Sequence, residues 1–342
     1  MKVSELGEFG LIRRLASAID PGPAELIVGI GDDAAVWRLG DRALIATTDT
    51  LVEGVHFLPR APWRDVGWKA LAVNVSDIAA MGGRPLFALV TLALPPQTGV
   101  AAIDDLYAGL NDCAREYGVT IAGGDIVRAP QVSVTVALLG EAQEWDGAPL
   151  LLRRDAARAG DVIAVTGALG DAAAGLRRLR EGAPPGDPLA RAHLHPEPPL
   201  ATAQLAASLG IPCGIDISDG LLQDLGHVCE MSGLGADIHA GALPLSADLR
   251  AAYPDDALAL ACTGGEDYQL LLAGPPRLFD PLVQPLISEE ATRLMLTDPR
   301  DFLERNAVSV IGVVTSGPPR VRLLDERGGE ITLDTSGWDQ LR

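Results

Sequence analysis

Phe9, Ile12, Leu15, Ala16 and Ile19 recur at helical spacing and predict a helix over 8–19. A short apolar run over 26–30 predicts a strand that ends in Gly31-Asp32-Asp33. Alternating positions over 35–39 and 43–48, on either side of Gly40-Asp41, predict a β-hairpin. The largely apolar stretch 65–81 reads as a long helix closed by Gly82-Gly83. Strands are expected at 86–94, 119–122 and 132–139, with a helix over 100–117. The strand at 119–122 runs out into Gly123-Gly124-Asp125.

A second set of elements begins near Arg153. It comprises a strand at 161–166, a helix at 171–180, and a Pro- and Gly-rich loop over 182–199. A helix at 201–209, a strand at 214–217 and a helix at 221–231 follow, then strands at 236–239, 268–272 and 309–314. The last described pattern, 321–333, is a hairpin turning at Arg327-Gly328-Gly329. Strands interleaved with helices over 342 residues suit an α/β protein of two domains, drawn here at 1–145 and 146–342. The halves echo each other weakly. Ser76-Asp77 matches Ser218-Asp219, Gly123-Gly124-Asp125 matches Gly264-Gly265-Glu266-Asp267, and both matches are 142 residues apart (219 − 77 and 267 − 125).

Composition narrows the chemistry. Hydrophobic residues make up 48% but aromatics only 4%, so Ala, Val, Leu and Ile must build the core. A net charge of −19 excludes nucleic acid as a partner, because a phosphate backbone needs a basic face. No apolar run approaches the roughly 20 residues of a membrane span, and Met1–Glu5 lack the basic start and apolar stretch of a signal peptide. Cys113, Cys213, Cys229 and Cys262 are scattered without a C-x-x-C pair and read as reduced thiols of a cytoplasmic protein.

An acidic surface accounts for solubility, but not for aspartates set beside glycines at the ends of apolar runs. Gly29-x-Gly31-x-x-Ala34, with Asp49 some 20 residues on, imitates a dinucleotide fingerprint. The expected hairpin after it offers no helix N-terminus to a pyrophosphate, and the loop's two carboxylates would repel one. The chain also has no Walker G-x-x-x-x-G-K and only two lysines, Lys2 and Lys69. Read as ligands for magnesium, which takes oxygen donors and one or two carboxylates per ion, the acidic loops make better sense. They are Asp32-Asp33, Thr47-Thr48-Asp49, Asp77, Asp125, and Asp216 with Asp219. An Asp beside Gly is in most proteins a turn or a cap, and Ser218-Asp219 reads equally well as a cap for the next helix. Asp77 differs because it lies inside an apolar helix, where a carboxylate costs several kcal/mol unless it is paired. His193-x-His195 sits in a Pro-rich loop with no third ligand nearby and does not make a zinc site.

Six motifs occur in order: Gly-Ile-Gly-Asp-Asp-Ala (29–34), Thr-Thr-Asp-Thr-Leu-Val-Glu-Gly-Val-His-Phe (47–57), Lys-Ala-Leu-Ala-Val-Asn-Val-Ser-Asp-Ile-Ala-Ala-Met-Gly (69–82), Gly-Gly-Asp (123–125), Ile-Asp-Ile-Ser-Asp-Gly-Leu (215–221) and Gly-Gly-Glu-Asp-Tyr (264–268). The set resembles the thiamine-monophosphate kinases of the aminoimidazole-ribonucleotide synthetase superfamily and covers nearly the whole chain. The resemblance implies a two-domain fold with mixed sheets flanked by helices, and a homodimer formed through the N-terminal halves. It implies a kinase that uses ATP and several Mg2+ ions to phosphorylate thiamine monophosphate to thiamine diphosphate. By motif position, Asp32, Thr47, Thr48, Asp49, Asp77, Asp125, Asp216 and Asp219 resemble the metal shell. Tyr107, Gly124, Asp125, Arg154 and Ser218 resemble ATP contacts, and His56, Glu266 and Trp338 the thiamine-phosphate site. One departure is Pro199, which stands where the family pattern P-x-P-R has arginine. A phosphate monoester with a second pKa of about 6 is already ionised at neutral pH, so direct in-line transfer is expected without a general base.

Overall fold

Every second residue of β6 (Ser133–Glu141) is buried, the period of a strand with one face on a core. The structure, a computed structural model, describes residues 2–20, 22–283 and 307–333. In the N-terminal half β6 pairs with β3 (Arg42–Val52) and β4 (Arg84–Leu94), inside a six-stranded sheet. β1 (Leu26–Val28) and β2 (Ala35–Leu39) extend it beyond β3, and β5 (Thr120–Arg128) forms the other edge. All neighbours are antiparallel except β4 and β5, which are parallel and joined through helix α3 (Val100–Tyr117).

Helix α2 (Trp63–Ala80) explains why the halves hold together. Fourteen of its 18 residues are buried, as expected of a helix that is apolar all round and covered on every side. Toward the first sheet, Leu71, Val75 and Ile78 join the core made with Ile45, Val90 and Val136. Toward the second half, Ala79 and Ala80 pack with Leu152, Ala203, Leu270 and Leu272. Each fully buried Leu or Ile here contributes about 2 kcal/mol. Helices α2 and α3 approach closely because Gly67 and Gly109 face each other's backbones. A Cβ on Gly67 would lie 1.9 Å from the Leu106 carbonyl oxygen, and one on Gly109 1.8 Å from that of Arg64.

The second half begins after a small hairpin, β7 (Gln143–Trp145) and β8 (Ala148–Leu150). Its strands are β9 (Val162–Thr166), β10 (Cys213–Ile217), β11 (Gly235–His239), β12 (Gln269–Gly274), β13 (Val308–Thr315), β14 (Arg320–Leu324) and β15 (Glu330–Ile331). They form one sheet in the order β10-β12-β9-β13-β11-β14-β15, with β11 and β14 parallel and the other neighbours antiparallel. Helices α4 (Asp171–Arg180), α6 (Leu200–Ser208) and α7 (Leu221–Ser232) join its strands, and α8 (Ala247–Ala252) and α9 (Ala257–Thr263) precede β12.

Three elements differ from the sequence expectation. The first helix, α1, runs Val3–Ala16 rather than 8–19, and its path breaks at Gly7, whose φ is 69°. β5 continues straight through Gly123-Gly124-Asp125, which were expected to form a loop. The segment 182–199, expected as loop, contains helix α5 (Pro188–Leu194). Its start is legible in hindsight: the Asp187 carboxylate accepts the Leu189 and Ala190 N–H groups at 3.1 and 3.2 Å, and Pro188 occupies the first turn.

Candidate active site

Four separate pieces of chain bring carboxylates to the junction of the two sheets. Strand alternation on β3 points Thr47 and Asp49 toward α2, where the Asn74 side chain accepts the Asp49 N–H at 3.1 Å. Thr47 donates its hydroxyl to Asp77 of α2, and the Asp49 carboxylate lies beside that of Asp77. Asp216 arrives on β10, buried, and accepts the Ser76 hydroxyl at 2.7 Å, a bond that ties α2 to the second sheet. Asp33 arrives on the turn after β1. One carboxylate oxygen from each of Asp33, Asp77 and Asp216 lies within 4.8 Å of the other two.

The charges here do not balance. Among the described residues, the cation paired with Asp32, Asp33, Asp49, Asp77 and Asp216 is Arg154, which pairs with Asp33 and stands 3.7 Å from Asp32. Burial, and then Asp49, Asp216 and Asp33, push the Asp77 carboxyl well above its ordinary range. Burial and then Asp33 do the same to Asp216. Burial and Asp33 raise Asp32 to about 6, and burial raises Asp49. Acids raised in concert by burial and by one another, beside a cleft, mark a candidate functional site. Every donor is oxygen, which fits a hard divalent cation.

Beside these acids opens a cleft of about 450 Å³ that also exposes His56, Ser218, Asp219 and Glu266. The loop bearing Ser218 and Asp219 is fixed from below. A single oxygen of buried Asp224 accepts the N–H groups of Ser218, Asp219 and Gly220 at 3.1, 3.1 and 3.0 Å. His56 accepts the Val52 N–H through Nδ1 at 3.0 Å, which holds its ring at the cleft edge. Glu266 reaches the cleft from the loop before β12, with Lys69 Nζ 2.8 Å from Oε1 and His193 Nδ1 3.0 Å from Oε2.

Of the residues singled out from the sequence, Thr47, Asp49, Asp77 and Asp216 thus come together, with Arg154 beside them and Ser218, Asp219, His56 and Glu266 around the same cleft. Others stand apart. The acid that meets Asp77 and Asp216 is Asp33; its neighbour Asp32 accepts the backbone N–H of Asp33 at 3.0 Å and that of Arg154 at 3.4 Å. Thr48 lies on the opposite face of β3 and gives its hydroxyl to the Val136 carbonyl at 3.0 Å, so that hydroxyl does not join the acids. Asp49 is opposite Val136, Val136 opposite Val90, and Val90 opposite Gly124. Three strand spacings, about 14 Å, therefore separate Asp49 from Gly124. Asp125, one residue on, is exposed on the edge strand and cannot share an ion with Asp77 within one chain. Tyr107 packs from α3 against the first core. Trp338 lies outside the described residues. Asp224, Lys69 and His193 are not among the site residues expected from the sequence. Only Lys69 carried a signal, as the one lysine within the six motifs.

Comparison with known proteins finds relatives of this sequence and fold. Residues 31–142 match the family model described as AIR synthase related protein, N-terminal domain. The thiamine-monophosphate kinase of Aquifex aeolicus is 36% identical over 294 residues, 83% of this chain and 90% of that protein. That of Escherichia coli (strain K12) is 39% identical over 276 residues, 79% of this chain and 83% of that protein. The solved structure of AaThiL complexed with AMPPCP and TMP has a TM-score of 0.82 at 32% identity, covering 99% of this chain and 98% of that one.

Proposed function

The chain belongs to the thiamine-monophosphate kinase family, and from that premise we propose that the cleft between its two sheets is where the reaction occurs. The enzyme transfers a phosphoryl group from ATP to thiamine monophosphate and yields thiamine diphosphate. The observation that carries the reading is the meeting of Asp33, Asp77 and Asp216, from three separate elements, beside a cleft lined by His56 and Glu266.

Asp33, Asp77 and Asp216 would hold Mg2+, with Asp49 and Thr47 adjoining and Asp219 at the cleft wall. Bound there, Mg2+ neutralises phosphate charge so that two polyanions can approach. Arg154 contributes the fixed positive charge on that side, and Asp33 keeps it in place. Ser218 and Asp219 keep their orientation through Asp224. Glu266 and His56 form the acceptor wall, and Trp338 joins them in this reading as the aromatic partner of thiamine. No side chain needs to act as base, because the acceptor phosphate is ionised at neutral pH, so the protein's task is alignment for in-line transfer. Tyr107, Gly124 and Asp125 are assigned to the nucleotide's far end. The assignment extends to Asp125 as ligand to a separate ion.

The working form in this reading is a homodimer. Among the described residues no layer covers the face of the first sheet opposite α2, and Phe87, Leu89 and Val127 on it are 50%, 44% and 43% exposed. Sheet faces this apolar are normally covered, and a second copy through residues 1–145 would do so, while residues 146–342 complete the cleft. Four buried free thiols support a reducing, cytoplasmic setting.

The test is to incubate the protein with ATP, Mg2+ and thiamine monophosphate and to separate products by chromatography. Thiamine diphosphate should form and should vanish with EDTA. ADP release without thiamine diphosphate would contradict the assignment.

A further inference from the structure

Behind the acceptor wall lies a group of residues that the reaction does not use. Lys69 is 2% exposed in the middle of α2, an expensive place for an ammonium unless it is paired. Its Nζ donates to Glu266 Oε1 at 2.8 Å and to the His56 carbonyl oxygen at 3.2 Å. One buried cation thus grips two of the residues assigned to the acceptor, Glu266 and His56. The other carboxylate oxygen of Glu266 is 3.0 Å from His193 Nδ1. A carboxylate only accepts, so the imidazole keeps its proton on Nδ1 at this separation, although the approach is off the line of an aligned hydrogen bond.

The backbone at this point is also held in a rare state. Glu266 and Tyr268 have φ of 70° and 49°, left-handed values that side chains other than glycine adopt at a cost of about 1 kcal/mol or more each. The loop keeps this shape through Glu266 N–H to the Ser218 carbonyl at 2.7 Å and Tyr268 N–H to that of Ile217 at 2.9 Å. Such strain persists where surrounding contacts over-determine it, and Lys69 and His193 supply two of them.

His193 is itself braced. It belongs to α5, which continues into a segment clamped on the residue next to Lys69. Trp68 Nε1–H donates to the Pro196 carbonyl at 2.7 Å, and His195 stacks on the Trp68 ring at 3.6 Å and 17°. The His193-x-His195 pair, too isolated for zinc, therefore anchors α5 to α2. His193 lines a smaller cavity of about 180 Å³ rather than the cleft, and Lys69 lines neither.

We propose that Lys69 and His193 are positioning residues for acceptor recognition. They fix the Glu266 carboxylate, and Lys69 also the His56 segment, without touching either reactant. Because Lys69 already balances Glu266, the wall offers the acceptor an oriented hydrogen-bond acceptor rather than a free counter-charge. The inference rests on the assignment of Glu266 to the acceptor given above.

The test is steady-state kinetics with each substrate varied in turn, on His193→Ala, His193→Asn and wild type, with melting curves beside them. The Ala variant should raise KM for thiamine monophosphate roughly tenfold, the loss of one polar contact to a charged group, and leave KM for ATP unchanged. The Asn variant, whose amide N–H sits where Nδ1–H was, should recover most of that loss. An unchanged acceptor KM in the Ala variant, equal rises in both KM values, or no recovery with Asn would overturn the proposal. If the Ala variant does not fold, His193→Gln replaces it, since its longer amide misses the Nδ1 position; equal acceptor KM in Gln and Asn variants would overturn the proposal. Wild type that makes no thiamine diphosphate would overturn the functional reading and this inference together, whereas active wild type with an unchanged Ala variant overturns this inference alone.

Discussion

Two corners of one cleft treat buried carboxylates in opposite ways. At the sheet junction, Asp33, Asp49, Asp77 and Asp216 converge, with Asp32 beside Asp33 and the Arg154 guanidinium paired to Asp33. At the far wall, Glu266 is paired by Lys69 and His193. Burial raises Asp77 and Asp216. It pushes Glu266 the same way, but Lys69 and then His193 outweigh it and hold that acid below the usual carboxylate range. On the proposed function, the corner rich in acids receives a cation, whereas the balanced corner keeps its own geometry. On that reading charge balance separates ligand-binding acids from scaffolding acids more sharply than exposure does.

That contrast breaks first, if it breaks at all, at the junction. Asp77→Asn or Asp216→Asn should lower kcat by about 10³-fold, in line with losing a principal charge contact in a phosphoryl-transfer site. The metal-free melting temperature should hold or rise, because a mutually repelling acid has been removed. A large fall in melting temperature with activity retained would assign these acids to the scaffold. The opposite pattern is expected at the balanced corner. Lys69→Met leaves the Glu266 carboxylate buried without its ammonium and should cost about 3 kcal/mol of stability, read by urea unfolding. Adding Glu266→Gln to it should recover much of that loss, and a double variant no more stable than the single one would contradict the pairing.

Smaller effects sharpen the comparison. Asp224→Ala removes the acceptor of three N–H groups under the Ser218–Asp219 loop and should raise the Mg2+ concentration for half-maximal activity about tenfold, with Asp224→Asn closer to wild type. An unchanged Mg2+ requirement in the Ala variant would remove Asp224 from the account. The pH response is smaller still. The folded-state value of Glu266 is depressed, so its contribution is fully present above the unfolded value of about 4.3 and is lost as pH falls toward the folded one. Glu266→Gln should therefore flatten the acid limb of the melting curve below about pH 4; an unaltered limb would contradict the depressed value.

Much of this was legible in the sequence because the patterns were local. The helix over 100–117 and the strand pairs were written in apolar spacing, and Asp77 stood out as an acid within an apolar helix. Other features depended on what crosses between elements. Gly123-Gly124-Asp125 and Gly264-Gly265-Glu266-Asp267 are alike as text, yet the first continues an edge strand in register with β4 and the second is a left-handed loop at the cleft. Pairing register decides that difference, and it is not encoded locally. Asp33, not Asp32, meets the other acids because a tight turn selects one of two adjacent side chains. His193 could not be read at all: its partner Glu266 lies 73 residues away (266 − 193), and the helix that carries it was hidden in a Pro-rich stretch.

The claim on which the account depends is that acids from three separate elements form one divalent-cation centre. The direct measurement is binding of Mn2+, as a paramagnetic substitute for Mg2+, followed by electron paramagnetic resonance on wild type and on Asp33→Asn, Asp77→Asn and Asp216→Asn. The account predicts that wild type binds the ion without nucleotide and that each single substitution weakens binding at least tenfold, or about 1.4 kcal/mol. Wild-type affinity in Asp216→Asn, the only one of the three from the second sheet, would contradict it.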